Sequence, residues 1–342
     1  MDLAFLGIYS ELGFDMGSSN TVVNIKGKGL LKPEPSVVAM DTLTKKVIVA
    51  GREADEMLGR TPDNIQAVCP VREGVVADFE ATSEMIRYFL KKATGNKIIV
   101  KPKVVATVPI SITEVERRAT IEAFGAAGAG SVILIEQPVA AALGAGIDIS
   151  EARGNMVVNL GAGTSEAAVL SLGSIVSEKS IRLGGDNMNE RIVSYMRRKY
   201  QVTIGEKTAE EIKKEIGSAS EKSAEGTYDV RGRETSTGLP KNVRVSALEI
   251  YTAISGVVGD IVNTVLETLE ITPPELAADV LASGITLTGG GARLKGIDSV
   301  IESVTGIKTR ISDNAEECAA VGALNVMSRP EIIRRSFVAK SR

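Results

Sequence analysis

The sequence predicts an α/β fold made of two related halves, and three observations carry that expectation. Asp15-Met-Gly-Ser-Ser-Asn-Thr21 and Asn159-Leu-Gly-Ala-Gly-Thr-Ser165 are glycine- and hydroxyl-rich turns of nearly the same design, far apart in the chain. Each lies between apolar segments, which is the pattern of a β-hairpin, and its recurrence implies an internal repeat. Around the turns, β-branched strands alternate with capped helices, the order that gives α/β architecture. A third glycine run, Leu287-Thr-Gly-Gly-Gly-Ala292, follows in the second half. Such turns expose backbone N–H groups in a concave array that suits phosphate oxygens. Two of them face to face would clamp a nucleotide's phosphates from both sides. Any one alone is equally a plain turn.

The elements follow in order. Residues 15–26 form the first hairpin. Residues 36–40 and 46–50 read as short strands joined by Asp41-Thr-Leu-Thr, and 52–58 as a short helix. Met85, Ile86, Phe89 and Leu90 recur at three- and four-residue spacing, which predicts a helix over 82–92. Residues 104–108 are a β-branched strand that ends at Pro109. Thr113-Glu-Val-Glu116 is a capping box opening a helix to about Ala127: the threonine oxygen accepts from a free N–H, and Glu116 reaches back. A buried strand spans 132–135, and Pro138 suits the first turn of an alanine-rich helix over 139–143.

The second half begins with a strand over 156–160, and further strands run to about Ile181. Asp186 is expected to cap a helix ending at Tyr200. Thr208-Ala-Glu-Glu211 reads as another capping box, opening a helix over 209–218. Strands over 228–233 and 242–245 flank Gly238-Leu-Pro240. A long helix covers 247–269 before Pro273-Pro274 breaks the chain. Residues 285–287 are a strand into the third glycine run, and 319–327 a small-residue helix. The basic tail after Arg329 is expected to be frayed.

Composition narrows the chemistry. The 342 residues suffice for about two domains. A net charge of −3 does not favour nucleic acid as a partner. There is no histidine, which excludes Ser-His-Asp and Cys-His catalysis and histidine metal sites. Cys69 and Cys318 are isolated and are expected to be reduced thiols in a cytosolic protein. No apolar run reaches the roughly 18 residues of a membrane-spanning helix, and the N-terminus lacks the long apolar stretch of a signal peptide.

Many strings of this chain, in order, resemble the MreB family of bacterial actin-like cytoskeletal proteins over essentially its whole length. Asp15-Met-Gly-Ser-Ser-Asn-Thr21 is similar to the family's first phosphate loop. Glu34-Pro-Ser-Val-Val-Ala39, Gly51-Arg-Glu-Ala54 and Met57-Leu-Gly-Arg-Thr-Pro62 resemble its small first-half insert. Gly74-Val-Val-Ala-Asp-Phe79, Thr113-Glu-Val-Glu-Arg-Arg118, Ile135-Glu-Gln-Pro138, Gly184-Gly-Asp186, Ile212-Lys-Lys-Glu-Ile-Gly-Ser-Ala219 and Val230-Arg-Gly-Arg233 also match. Leu287-Thr-Gly-Gly-Gly-Ala292 matches the loop on the adenosine side.

The resemblance implies an actin-like ATPase fold, with two ribonuclease-H-like domains around a nucleotide cleft and a smaller insert in each. It places subdomain IA at 1–32, 66–145 and 315–336, IB at 33–65, IIA at 146–181 and 246–314, and IIB at 182–245, with a tail at 337–342. It implies ATP or ADP with Mg2+ as cofactors, self-assembly into double protofilaments, and a cytoplasmic protein lying peripherally on the inner face of the cytoplasmic membrane. The implied role is cell shape or cell movement, with paralogous filament proteins and membrane cell-shape proteins as further partners.

The same resemblance assigns residues. Gly17, Ser18, Ser19 and Asn20 would contact phosphates from one side, and Gly161, Ala162, Gly163 and Thr164 from the other. Glu210 and Lys213, with Gly185, match positions that hold ribose and adenine. By spacing alone Glu210 and Lys213 share a helix face and equally form a surface ion-pair ladder with Lys214. Gly289, Gly290, Gly291 and Ala292 would let the backbone approach the nucleotide. Asp15 is the magnesium-side carboxylate and, with Gln137 and Thr164, forms the catalytic set; Asn159 shares the metal side, through water.

Two departures from the family bear on hydrolysis, which needs a water in line with the γ-phosphate and a cation to neutralise charge. Asn159 stands where the family usually has aspartate, and Gln137 where it usually has a glutamate that polarises the water. Glutamine orients water but is a negligible base; actin itself has glutamine at that place. Slow hydrolysis is expected, with a catalytically weak scaffold paralogue that co-assembles with an active relative as the alternative. A small-molecule kinase of the same fold would need an acidic base aimed at an acceptor hydroxyl, and the sequence offers none. A DnaK-type chaperone would need a further substrate-binding domain. The resemblance also implies membrane contact at Phe5 and Leu6 in the N-terminal apolar cluster, and at Ile98 and Ile99 beside Lys97, Lys101 and Lys103; the alternative is that the first cluster packs onto the domain and that Ile98-Ile99 starts a strand.

Overall fold

The turn chemistry builds the first hairpin as expected. In the computed structural model, which describes residues 10–95, 101–333 and 338–339, β1 (Glu11–Met16) and β2 (Asn20–Ile25) pair antiparallel, and the Gly17 N–H closes the turn on Asn20 O at 3.1 Å. The chain continues through α1 (Arg52–Met57), α2 (Phe79–Thr94), β3 (Lys103–Val108), α3 (Glu114–Ala127), β4 (Ser131–Glu136) and α4 (Gln137–Gly144). β3 pairs parallel to both β1 and β4, and the sheet runs β4-β3-β1-β2 with the short strand Gly29–Leu30 beyond β2. A small separate sheet orders Val47–Ala50, Val38–Asp41 and Ile65–Val68, with α1 packed on it.

Local rules account for the helices. Asp78 caps α2 by accepting from the Ala81 N–H at 3.0 Å, and Lys91 and Lys92 complement the dipole in its last turn. Its buried stripe of Met85, Ile86, Phe89 and Leu90 meets the sheet. The Thr113–Glu116 capping box forms on α3, which ends at Gly128 with φ +108°. Phe14 of β1 meets Phe124 and Phe89 edge to face, at centroid distances of 5.0 and 6.1 Å, fixing both helices over one face.

The second half repeats the plan. β5 (Asn155–Leu160), β6 (Ser165–Ser171) and β7 (Ser174–Ile181) form an antiparallel meander. α5 (Gly185–Tyr200), α6 (Glu206–Ile216), α7 (Ala247–Glu270), α8 (Pro274–Ser283), β8 (Ile285–Thr288), α9 (Ile297–Thr305) and β9 (Thr309–Ile311) follow. The sheet order β9-β8-β5-β6-β7 reproduces that of the first half, with β8 parallel to β5 and β9. The Gly161 N–H closes its turn on Thr164 O at 2.8 Å, the same bond as in the first hairpin. A three-stranded sheet of Val202–Thr203, Thr227–Glu234 and Pro240–Ser246 forms the insert. This is the actin-like fold.

The chain then returns. α10 (Cys318–Asn325) lies against α4, and glycines permit the contact: a Cβ on Gly322 would lie 1.7 Å from Ala140 O, and one on Gly144 1.8 Å from Cys318 O. The two crossings between the halves are therefore packed backbone to backbone.

Three expectations are corrected. Asp186 does not cap α5; Gly184 is the N-cap, bonded through its N–H to Asn187 Oδ1 at 2.9 Å, and the Asp186 N–H donates to Ala162 O instead. α6 starts at Glu206 after Gly205, so Thr208 lies inside the helix and makes no capping box. Helices α8 and α9 were not foreseen. The tail is not simply frayed: α11 (Pro330–Ile333) forms, and Val338–Ala339 pairs with Val132 and Ile133 as an edge strand.

Candidate functional site

The two hairpin turns meet across a cleft of about 450 Å³ between the sheets, within the ordinary size of small-molecule sites. Register makes them equivalent: Asp15 corresponds to Asn159, Gly17 to Gly161 and Asn20 to Thr164. Ser36 Oγ donates to Gly17 O at 2.6 Å and holds the first turn from behind. Ser18 Oγ accepts from the Gly74 N–H at 3.1 Å. Ser19 and Asn20 are exposed on the turn and line the cleft, with Asn20 Nδ2 donating to Ser19 Oγ at 3.3 Å. Gly163 closes against the first turn so tightly that a Cβ there would lie 2.7 Å from Ser18 Oγ and 2.8 Å from the Glu73 backbone.

Beneath the turns, a directional chain of hydrogen bonds crosses from one half to the other. Thr107 Oγ1 donates to Asp15 Oδ1 at 2.5 Å, and Gln137 Nε2 donates to the same oxygen at 3.4 Å. Asn159 Nδ2 donates to Gln137 Oε1 at 3.4 Å, and Thr288 Oγ1 to Asn159 Oδ1 at 3.1 Å. Gln137 lines the cleft as the first residue of α4, which follows β4 at once, with Pro138 next in the first helical turn. Burial pushes the Asp15 carboxyl above the ordinary aspartate value, against the opposing pull of the Thr107 and Gln137 hydrogen bonds. Had Gln137 and Asn159 been acids, carboxylates would abut along this floor. The amides supply donors instead.

The far end of the cleft is ionic. Glu210 bridges Lys213 at 2.5 Å and Lys214 at 3.1 Å and accepts from Asn189 at 2.8 Å, while Lys213 also donates to Gly185 O at 2.9 Å. Burial opposes ionisation of Glu210, but Lys213, Asn189 and Lys214 together hold its carboxyl down to about 2. So the spacing-only ladder of Glu210, Lys213 and Lys214 exists, and it lines the cleft. Gly289 adopts φ +81° with no room for a side chain, since a Cβ would lie 2.3 Å from Leu160 O.

Of the expected binding residues, Gly17 to Asn20, Gly161 to Thr164, Gly185, Glu210, Lys213 and Gly289 to Gly291 all line the cleft, with Asp15, Gln137 and Asn159 at its floor. Ala292 does not; it is fully buried beneath the third glycine run. Sequence reasoning missed Gly74, Asp186, Gly217, Arg293 and Lys295, which also line it. Gly74, Asp186 and Gly217 sit inside strings already noted; Arg293 and Lys295 carry no local signal. Phe5, Leu6, Ile98 and Ile99 lie outside the described residues. Among the described residues, no three His, Cys, Asp or Glu side chains cluster as metal ligands. The donor set suits magnesium held by one carboxylate, phosphate oxygens and water rather than a protein cage.

Residues 9–335 match the family described as MreB/Mbl protein. The chain is 44% identical over 324 residues to the cell shape-determining protein MreB of Escherichia coli (strain K12), covering 93% of each. It is 43% identical over 312 residues to the cell shape-determining protein Mbl of Bacillus cereus, covering 91% of this chain and 94% of that relative. The crystal structure of MreB5 of Spiroplasma citri bound to AMPPNP superposes with a TM-score of 0.88 at 33% identity, covering 96% of this chain and 98% of the other.

Proposed function

The chain belongs to the MreB/Mbl family of actin-like, cell-shape-determining proteins, and from that premise we propose that it binds ATP with magnesium in the cleft and polymerises into double protofilaments on the inner face of the cytoplasmic membrane, where it governs cell shape or movement and hydrolyses ATP slowly. The observation that carries the nucleotide reading is the meeting of two equivalent turns over one hydrogen-bonded floor. A relative of the same fold was crystallised with AMPPNP, which supports it. The subdomain boundaries expected from the sequence belong to this proposal.

The residues would divide the work as follows. Ser18, Ser19 and Asn20 hold phosphates from one side, and the backbone of Gly161 to Thr164 holds them from the other. Glu210 and Lys213 hold the sugar and base. Asp15, with Asn159 beside it, would hold magnesium, which when bound would supply charge neutralisation at the phosphates. Gln137, fixed by its bonds to Asp15 and Asn159, orients a water but does not take its proton. The same amides favour a second reading, a scaffold that holds nucleotide with little turnover and co-assembles with an active relative. Among the described residues no helix is long and apolar enough to cross a membrane; the membrane contact proposed is peripheral. Ser19→Ala with Asn20→Ala should weaken labelled-ATP binding, and unchanged affinity in that variant would sink the assignment.

A further inference from the structure

Glu166 lies on β6 directly opposite Asn159 of β5, so it shares a sheet face with that floor residue. It is fully buried. Its Oε1 accepts from the Ile110 N–H at 2.7 Å and from Ser180 Oγ at 3.3 Å, while its Oε2 has no hydrogen-bond partner among the described residues. Ile110 belongs to the other half: it lies two residues beyond the end of β3, the strand whose Thr107 holds Asp15. Other links between the halves include the close packing of α4 on α10 and ion pairs at the surface. Arg182 to Glu73 at 2.9 Å and to Glu116 at 3.1 Å, and Lys207 to Asp55 at 2.9 Å, are solvent-accessible pairs, which contribute little. The buried bond from Asn159 to Gln137 is longer, at 3.4 Å.

We propose that Glu166 is a positioning residue for the nucleotide reaction: by accepting the Ile110 N–H across the interface, it sets the spacing of the two phosphate turns and with it the alignment of Gln137. The inference rests on the function proposed above. Burial pushes the Glu166 carboxyl up to about 8, with the Ile110 and Ser180 bonds opposing and the charges of Glu178 and Asp15 adding to the rise. A neutral acid accepts through its carbonyl oxygen, as an amide does, so glutamine is a fair substitute and methionine is not.

The test uses the full chain, a fluorescent ATP analogue for dissociation rates, and steady-state phosphate release. In Glu166→Met, dissociation should accelerate about fivefold and kcat should fall about tenfold, while Glu166→Gln stays within about twofold of the parent on both. If the methionine variant does not fold by circular dichroism, Glu166→Asp, which withdraws the acceptor by one methylene, replaces it with the same expected direction. A folded methionine or aspartate variant with parental rates overturns the proposal. So does a glutamine variant as impaired as the methionine one, because the acceptor oxygen would then not be what matters. A parent that retains no ATP analogue refutes the proposed function, and this inference with it.

Discussion

Replacing Gln137 by glutamate turns a donor into a second carboxylate beside Asp15, and the consequence follows from one distance. Gln137 Nε2 lies 3.4 Å from Asp15 Oδ1. Two unit charges at that separation repel by about 5 kcal/mol at an effective dielectric near 20. Protonation of one acid relieves part of this, and the Asn159 amide still donates to the new side chain. The net loss of stability should be about 2–3 kcal/mol near neutral pH. Its sign with pH is definite. The new acid has a folded-state pKa raised above its unfolded value of about 4.3, so the loss is absent below that value and grows as pH rises toward the folded pKa. Urea unfolding of parent and Gln137→Glu without nucleotide, at pH 5 and pH 8, should show a gap that widens at the higher pH. Magnesium and ATP should narrow it. Equal stability of the two proteins at both pH values would mean that residue 137 does not face Asp15, and the floor as described would be wrong.

Further tests address other parts of the site. Gly163→Val must force the two turns apart, since its Cβ would lie 2.7 Å from Ser18 Oγ; a strain of about 1–3 kcal/mol should weaken ATP binding roughly 5- to 150-fold in a titration, and parental affinity would refute the contact. Glu210, held down to about 2, contributes stability that is present above its unfolded value near 4.5 and lost as pH falls through about 2; the difference in melting temperature between parent and Glu210→Gln should shrink on acidification from pH 5, and a constant difference would count against the ion-pair cluster. Serine at Phe5, Leu6, Ile98 and Ile99 should abolish liposome co-sedimentation while leaving polymer intact; retained co-sedimentation would assign membrane attachment to a partner protein.

The sequence carried the architecture wherever local chemistry has a distinct pattern. Both phosphate turns are legible because glycine, hydroxyl and amide residues between apolar strands have few other uses. The Thr113 capping box and the Met85–Leu90 stripe are legible because they repeat at helical spacing. Asp186 and Thr208 misled because a good capping residue one or two positions inside a helix looks like a start; the glycines at 184 and 205 took the caps. Arg293 and Lys295 reach the cleft only through tertiary packing, which no spacing rule encodes. The same holds for Glu166, which reads as a strand residue until Ile110 of the other half is seen to donate to it.

The proposed function is that of a nucleotide-dependent filament whose site would hold ATP and hydrolyse it slowly. Sedimented polymer and released phosphate, measured on one sample of the parent with magnesium and ATP, test that claim most directly, beside the Gln137→Glu/Asn159→Asp variant. The prediction is ATP-dependent pelleting of both proteins, with phosphate release from the parent well below that of the variant. Parent protein that stays in the supernatant at every ATP concentration and retains no nucleotide would contradict it.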